Sequence, residues 1–493
     1  MIFYQINPQY FLEIAISKFH IDKEYNKSFY NLVSECLDQI KETGFDSIWI
    51  MPLYERGYPD AVGGGSPYAV KNYSLSARWG TEEELINLIK VAHDKGFKII
   101  TEFIPNHMAQ SADFISNYPD LVYRDSKGNI LFDDGWGDTA KLKHTEPRVQ
   151  EFIAQNIEHI LNYGFDGLRL DMSHYPFYSL NEKNEVLRLN EEFWDKVKAY
   201  ITIDLSDKYF VGEAYDDRNK NAYGYGDQIQ LFKSNIGAYE KKYFDIIQRE
   251  LKNHTEYSIQ NDFYNEYEYQ KEASSFYTHS KYSPFLRFTS NHDDAPAIQN
   301  FTGTKAYIAA LSSLLSIKGE FMMYAGDEYG LAVKPSVTGQ TKYDQSGHLS
   351  ELDGIQFIDQ NDQDYIYQNV KKLLSISPKF RNMNMIIPEY LENQGNILVV
   401  INYSLDSKEI IITCTNFSQS IDKQWAILNY LYTDATNLRI LLKDLILKVI
   451  PNSLENGYNL KDLMNDKQLD HRDLNDNFVI ALDPLEVQIL NIY

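Results

Sequence analysis

Acidic side chains follow several short apolar stretches of this chain, at positions where strands of a parallel sheet would end. Asp171 closes the stretch GFDGLRLD, Glu213 closes YFVGE and Asp293 follows FLRFTS. His107 and His292 each follow an asparagine in similar positions, within FIPNHM and FTSNHDD. A single polar residue at a strand end is ordinary, because chains turn at the surface. Their joint occurrence indicates a reactive site.

The chemistry that needs such a set is cleavage of a glycosidic bond with retention, which uses two neighbouring carboxyl groups. One carboxylate attacks the anomeric carbon, and the other, protonated because its pKa is raised, donates to the leaving oxygen. Arg169 lies two residues before Asp171, so both side chains point to the same face of a strand. We therefore expect Arg169 to keep Asp171 ionised as a nucleophile. Glu213 has no adjacent cation in sequence and is expected to be the acid.

These residues need a scaffold that brings strand ends together, and the first three quarters of the chain alternate apolar stretches with amphipathic ones. Such alternation predicts a parallel α/β sheet, and eight strands favour a closed (β/α)₈ TIM barrel. A barrel places the ends of all eight strands on one rim. The predicted strands are Ile2–Ile6, Asp46–Pro52, Phe97–Pro105, DGLRLD, YFVGEA, Gln228–Phe232, FLRFTS and Gly319–Gly326.

Helix signals separate these strands. FYNLVSECLDQIKET is followed by Gly44, a typical C-terminal stop. Thr81 and Glu84 form a capping-box pattern before an amphipathic stretch, and a third helix is expected from about Thr145 to Tyr163.

The chain is predicted to divide into a catalytic barrel (1–386) and a β-rich C-terminal domain (387–493) that also contains one helical stretch. The segment from about 107 to 144 is too long for a simple connection and predicts a short inserted lobe after strand three.

Composition limits the partners. The 493 residues carry a net charge of −23, which disfavours nucleic acid and anionic lipid but not a neutral sugar. Two distant cysteines, Cys36 and Cys414, predict neither a disulfide framework nor a cysteine metal site. No apolar stretch reaches membrane-spanning length. The N-terminal residues have no signal-peptide pattern, so a cytoplasmic protein is expected, and the composition does not indicate the oligomeric state.

The chain resembles the α-amylase family of glycoside hydrolases over nearly its whole length. The resemblance implies that Asp171 is the nucleophile, Glu213 the acid/base and Asp293 the stabiliser of the transition state. Seven motifs in the family's order carry it: GSPYAVKNY, FIPNHM, WGDTAKL, GFDGLRLD, VGEAY, FTSNHDD and GEFMMYAGDE.

The resemblance also implies a set of sugar-binding residues. Tyr68 is expected to stack on the sugar in the cleavage subsite, His107 and His292 to bind it, and Arg169 to be the arginine of the strand-four motif. Asn106 would support His107.

Two departures from the family pattern bear on the site. Glu102 stands where the strand-three motif normally begins with Asp. His174 and Tyr175 replace a common Lys-His pair on the product side, which leaves bond and acceptor preference open.

The leading hypothesis is a retaining hydrolase of α-1,4-linked glucans and maltooligosaccharides. A transglycosylase or isomerase using the same site is the alternative, and a non-catalytic binding subunit is a remote third. No cofactor is expected to be required. The short lobe disfavours, without excluding, a structural calcium ion, and no metal ligands are predicted.

Overall fold

The computed structural model describes most of the chain. The described residues are 1–58, 65–132, 136–180, 186–188, 192–215, 227–253, 259–278, 282–334, 355–389, 396–419, 424–428, 430–433, 438–469, 472 and 478–493. No helix in these ranges is long and apolar enough to cross a membrane.

Eight parallel strands form a closed barrel. Each strand pairs with the next along the chain, and the eighth pairs with the first. The (β/α)₈ barrel predicted from the sequence is therefore confirmed. The strands are β1 (Ile2–Ile6), β2 (Ser47–Ile50), β3 (Lys98–Phe103), β4 (Gly167–Leu170), β5 (Tyr209–Gly212), β6 (Gly237–Tyr239), β7 (Phe285–Phe288) and β8 (Glu320–Tyr324).

The predicted position of the sixth strand was wrong. Residues Gln228–Phe232 lie within the helix Asp227–Lys233, and β6 follows at Gly237–Tyr239. Five residues that alternate between polar and apolar also fit a helix turn, so periodicity cannot separate the two over so short a stretch. Asn235, with a φ of 55°, turns the chain from the helix into the strand.

Strand side chains alternate between the barrel interior and the surrounding helices, as the two-residue period of a strand requires. On β4, Leu168 and Leu170 pack outward in the main core. Arg169 between them points inward and is fully buried, so a charge lies within the barrel. The apolar interior is a separate cluster formed by Phe3, Trp49, Ile100, Tyr209, Val211, Tyr239, Leu286, Phe288 and Met322.

The expected helix signals are present. The helix Phe29–Thr43 ends at Gly44, whose φ is 117°, and Thr81 and Glu84 form both hydrogen bonds of a capping box. The other helices that accompany the barrel are Phe11–Lys18, Glu82–Asp94, Pro147–Leu161, Phe193–Lys198, Asp227–Lys233, Lys242–Asn253, Ile259–Ser274, Ala297–Asn300, Thr304–Ser316, Gln360–Ile376 and Pro378–Arg381.

Small hairpins extend the rim. Tyr54–Arg56 pairs with Val70–Leu75 after β2, and His107–Ala109 pairs with Thr139–Lys141 after β3. The second hairpin and the helix Asp113–Asn117 form the inserted lobe. Two further pairs are Tyr178–Leu180 with Val186–Arg188 and Leu331–Val333 with Gln356–Phe357.

The C-terminal part is β-rich, as predicted, and contains an antiparallel six-stranded sheet. The strands of the sheet, in spatial order, are Asn384–Ile386, Ile397–Ser404, Glu409–Asn416, Val487–Ile492, Leu460–Asp462 and Lys467–Gln468. It begins next to the predicted boundary after residue 386; the division into two domains there stays a prediction. Two smaller pairs, Gln424–Ile427 with Val479–Leu482 and Tyr430–Thr433 with Leu438–Leu441, and the helices Leu442–Val449 and Ser453–Asn456 accompany the sheet.

This sheet uses both faces. Leu398 and Val400 join the core shared with the barrel helices, whereas Val399 and Ile401 join a separate C-terminal core. Polar bonds also cross the contact: the Ser313 hydroxyl donates to Thr415 Oγ1 at 3.0 Å, and Asn402 Nδ2 donates to the Ser316 carbonyl at 3.0 Å. The sheet therefore supports the barrel from the side of its seventh and eighth units.

Gly167 provides a test of the packing between β4 and β5. A Cβ there would lie 1.9 Å from the Tyr209 carbonyl oxygen, so Gly167→Ala must separate these strands. We expect a loss of at least about 2 kcal/mol in the free energy of unfolding in urea.

Gly137→Ala is the matched control, because its Cβ would meet its nearest neighbour at an ordinary 3.7 Å. We expect a change within about 0.5 kcal/mol for this variant. Equal stability of the two variants would contradict the close strand packing.

Candidate active site

One arginine lies at the centre of the acidic cluster. Arg169 Nη1 is 2.7 Å from Glu102 Oε2 and 2.6 Å from Asp171 Oδ1, while Nη2 is 2.9 Å from Glu213 Oε2. These carboxylates come from the ends of β3, β4 and β5. A single guanidinium therefore joins three neighbouring strand ends.

Aromatic residues fix the orientation of this guanidinium. Its Nε donates to the Tyr239 hydroxyl at 3.1 Å, and the rings of Trp49, Tyr68 and Tyr239 lie 5.7–6.0 Å from its central carbon. At such distances the ring faces attract a cation. The charge is thus held without direct access to solvent.

Asp171 and Glu213 are positioned by continuation of the barrel ladder. The Asp171 N–H donates to the Phe103 carbonyl at 2.8 Å, and the Glu213 N–H donates to the Leu170 carbonyl at 2.9 Å. Met172 then has a φ of 44°, and its N–H donates to Glu213 Oε2 at 2.9 Å. The turn after the first acid therefore holds the side chain of the second.

The two oxygens of the Glu213 carboxyl differ. Both its ion pair with Arg169 and its hydrogen bond from Met172 use Oε2. Among the described residues, no hydrogen bond or ion pair involves Oε1. Oε1 is therefore the oxygen available to carry a proton.

Asp293 lies on the opposite side of the cleft, after β7. Its side chain is 54% exposed, and Oδ2 is 3.2 Å from His292 Nε2. Its N–H donates to Asn291 Oδ1 at 2.8 Å, which shapes the loop. Asp293 is the most accessible of the three predicted acids.

His292 and Tyr68 connect this side to the central cluster. Their rings stack with centroids 5.5 Å apart, and the Tyr68 hydroxyl is 2.8 Å from His292 Nε2. Gln5 Nε2 approaches His292 Nδ1 at 3.1 Å. Burial lowers the pKa of His292 well below its usual range, so the ring is neutral and the donation from Gln5 places its proton on Nε2.

His107 joins the site through its neighbour. Asn106 Nδ2 is 3.1 Å from His107 Nδ1 and 3.9 Å from the sulfur of Met172, the residue that follows Asp171. The His107 ring lies 6.1 Å from that of Trp136. The structure therefore brings six predicted site residues into one contact network, with His107 attached through Asn106. The six are Tyr68, Arg169, Asp171, Glu213, His292 and Asp293.

Comparison with known proteins identifies the family to which the chain belongs. The family model described as "Alpha amylase, catalytic domain" matches residues 30–127 and 131–375. The chain belongs to the α-amylase family. It is accordingly a glycoside hydrolase that acts on α-glucosidic bonds.

Relatives within the α-amylase family are distant in sequence. Alpha-amylase 3 of Dictyoglomus thermophilum is 25% identical over 422 residues, which cover 76% of this chain and 78% of that protein. Trehalose synthase/amylase TreS of Mycobacterium tuberculosis is 24% identical over 368 residues, covering 60% and 58%. The crystal structure of an α-amylase from Lactobacillus plantarum superimposes with a TM-score of 0.70 at 16% identity, covering 100% and 98%. This last likeness shows the shared fold.

The structure adds members to the α-amylase site that sequence reasoning did not include. Glu102, noted only as a departure from the motif, accepts from Trp49 Nε1 at 3.1 Å and from the Tyr68 hydroxyl at 3.3 Å. Tyr239 was missed because the sixth strand was assigned too early in the chain. Gln5 lies on β1, where the buried amide within an otherwise apolar strand was the available signal.

Burial changes the protonation of the acids. It raises the pKa of the Glu102 carboxyl to about 7 and that of Asp171 well above its usual range, although Arg169 acts in the opposite direction on both. The expectation that Arg169 keeps Asp171 ionised is therefore incomplete. One cation is shared by three carboxyl groups, so the cluster retains protons near neutral pH.

Glu102→Gln tests this electrostatic arrangement. Because the pKa of Glu102 is raised from 4.5 to about 7 on folding, the folded chain binds the extra proton and wild-type stability falls as pH rises through this range. The variant has no such loss. Its free energy of unfolding relative to wild type should increase by on the order of 2–3 kcal/mol between pH 5 and pH 8.

Urea unfolding at both pH values measures the difference, with the exposed Glu83→Gln as the control. The control should follow wild type at both pH values. The raised pKa would be contradicted if the free energy of unfolding of Glu102→Gln differed from that of wild type by the same amount at pH 5 and pH 8.

Proposed function

We propose that the chain is a retaining hydrolase that cleaves α-1,4-linked glucans and maltooligosaccharides through a covalent glycosyl-enzyme. The observation that carries this proposal is the contact of Asp171 and Glu213 with the two terminal nitrogens of one guanidinium. This bridging keeps the two carboxyl groups close, and a retaining mechanism requires carboxyl groups about 5–5.5 Å apart.

In the first step, an Asp171 oxygen forms a bond to the anomeric carbon as the glycosidic C–O bond breaks. Glu213 Oε1 gives its proton to the departing oxygen, which leaves as a sugar hydroxyl. Because the cluster holds three carboxyl groups against one cation, a retained proton is expected there. The proposed reaction requires a proton on Glu213 and an ionised Asp171 once the substrate is bound.

In the second step, Glu213 removes a proton from water as the water oxygen attacks the same carbon. The bond to Asp171 breaks and the enzyme returns to its initial protonation state. Two inversions give the product the α configuration of the substrate.

The remaining residues have supporting roles in this proposal. Asp293 faces the positive charge that develops on the sugar ring, and its exposure leaves it free to approach the substrate. His292, with its proton on Nε2, and His107 bind sugar hydroxyls. Tyr68 provides an aromatic face in the cleavage subsite.

The relatives favour this substrate class, since Alpha-amylase 3 of Dictyoglomus thermophilum covers 76% of this chain. A transglycosylase or isomerase is the second candidate. The trehalose synthase/amylase relative supports this candidate. Tyr175 supports it as well, because its half-buried ring lies near the acid: the preceding residue, His174, places its Nδ1 3.0 Å from the Glu213 carbonyl. An aromatic ring there favours a sugar acceptor over water. A non-catalytic binding role is disfavoured, because the acids converge.

No metal ion takes part in the proposed reaction. Among the described residues, no group of three or more His, Cys, Asp or Glu side chains is placed to hold a metal ion. Glu102, Asp171 and Glu213 contact a guanidinium instead, so these side chains do not fit a calcium site. A cytoplasmic location is also part of the proposal, and the two buried, unbridged cysteines favour it.

Glu213→Gln tests the proton donor with maltoheptaose as substrate. The amide keeps the shape but has no acidic proton, so turnover should fall about 10²–10⁴-fold. Chromatography follows the products, and Glu83→Gln serves as the exposed control.

Wild type should release shorter maltooligosaccharides at the same rate as the Glu83→Gln control. Products longer than the substrate would favour the transglycosylase. Near-native turnover by Glu213→Gln would exclude Glu213 as the acid.

Asp171 is tested by trapping the intermediate. A slow fluorinated α-glucosyl substrate should add one sugar to wild type, and peptide mass spectrometry should place it on Asp171. Asp171→Asn should remain unlabelled, because an amide is a poor nucleophile. A label on any other residue would remove Asp171 from this role.

Metal removal is a further test. Activity on maltoheptaose after dialysis against EDTA should stay within about twofold of the untreated enzyme, since the proposed chemistry uses carboxyl groups alone. A large loss that calcium restores would overturn the metal-independent mechanism.

A further inference from the structure

A cavity lies between the inserted lobe and the barrel helix Pro147–Leu161. Side chains alternate along the strand His107–Ala109: His107 belongs to the catalytic cleft, and Met108 lines a groove of about 480 Å³. We name this cavity the lobe groove. Its walls include the helices Asp113–Asn117 and Pro147–Leu161. Its volume falls within the usual range for small-molecule sites.

The walls of the lobe groove are rich in amides. Asn117, Gln155 and Asn156 line it together with Tyr118, whose side chain is 44% exposed. Among the described residues, no side-chain hydrogen bond involves the Asn117 amide or the Tyr118 hydroxyl. Asn156 uses only its Nδ2, which donates to the Phe152 carbonyl at 2.7 Å. Gln155 likewise uses its Nε2, which donates to Glu151. The Asn117 amide and the amide oxygens of Gln155 and Asn156, beside an aromatic ring, suit a ligand with hydroxyl groups on a partly apolar ring.

The charge of the groove is balanced, although the whole chain is strongly acidic. The charged lining residues are Lys71, Asp113, Arg148 and Glu151, two of each sign. Arg148 forms an ion pair with Asp120, while Asp113 and Glu151 accept hydrogen bonds from Asn72 and Gln155 at 3.0 and 3.2 Å. A groove without net charge favours a neutral ligand over a nucleic acid or a charged peptide.

We propose that the lobe groove is a second, non-catalytic binding site for an α-glucan segment. The inference rests on the proposed function, which makes a neutral polymer of glucose the substrate. Because the groove and the cleft share the strand His107–Ala109, a chain held in the groove stays close to the cleft. Two sites on one polymer raise the effective concentration of the substrate at the second.

Hydrogen exchange measured by mass spectrometry tests the binding directly. The Glu213→Gln enzyme is saturated with maltoheptaose, and protection is expected in peptides from the groove (113–121 and 147–161) and from the cleft (167–177). In the double variant with Tyr118→Ala, protection of the groove peptides should be lost and that of the cleft peptides kept.

Each outcome separates the two proposals. Protection of the cleft alone would overturn the second site and leave the proposed function standing. Protection of the groove alone would support the site and count against an α-glucan substrate in the cleft. Protection of neither would overturn both.

Steady-state kinetics provide an independent measurement. Tyr118→Ala should lower kcat/KM on soluble starch about fivefold, a typical effect of truncating an aromatic contact residue, and leave kcat/KM on maltotriose unchanged. Gln155→Ala, on an exposed helix position, should act in the same direction without risk to folding.

Tyr365→Ala is the matched control, because Tyr365 is 40% exposed on another helix. It should leave both substrates unchanged. The inference would be overturned if Tyr118→Ala and Gln155→Ala lowered kcat/KM on maltotriose as much as on starch. It would also be overturned if neither variant changed kcat/KM on starch.

Discussion

The buried guanidinium of Arg169 is the interaction on which the site depends. A charge inside a barrel is unstable unless it is paired, because burial removes it from water. Its partners are Glu102, Asp171 and Glu213, and each follows or belongs to a different strand. The barrel therefore has to bring three neighbouring strand ends to one point, and two of them carry the acids of the proposed reaction.

The surroundings of this cation give the acids different environments. Glu102 is completely buried and receives hydrogen bonds from two aromatic side chains, so it acts on the cluster without reaching a substrate. Asp171 and Glu213 lie at the edge of the cleft. Replacing the usual Asp of the strand-three motif by Glu102 gives the site a longer side chain that still reaches the guanidinium. The side chain at this position is thus longer than the family's usual Asp, and it still forms an ion pair with Arg169.

The elements outside the barrel have two different relations to the site. The hairpin after β2 and the inserted lobe place Tyr68 and His107 at the cleft, and the lobe also forms the groove on its other side. The C-terminal sheet packs on helices that precede β7 and β8. Rim elements therefore carry residues of the predicted sugar site, whereas the sheet packs on helices of the scaffold.

The sequence by itself determined the barrel, seven of its eight strands and the identities of the predicted acids, because long periodic elements and ordered motifs are local features. The sixth strand was misplaced, since QIQLF fits a helix as well as a strand, and Tyr239 was lost with it. Only the tertiary structure decided that Arg169 is shared among three carboxyl groups, that Gln5 contacts His292 and that burial raises the pKa of Glu102. These facts depend on distances between residues far apart in the chain and on exclusion of water, neither of which local spacing encodes.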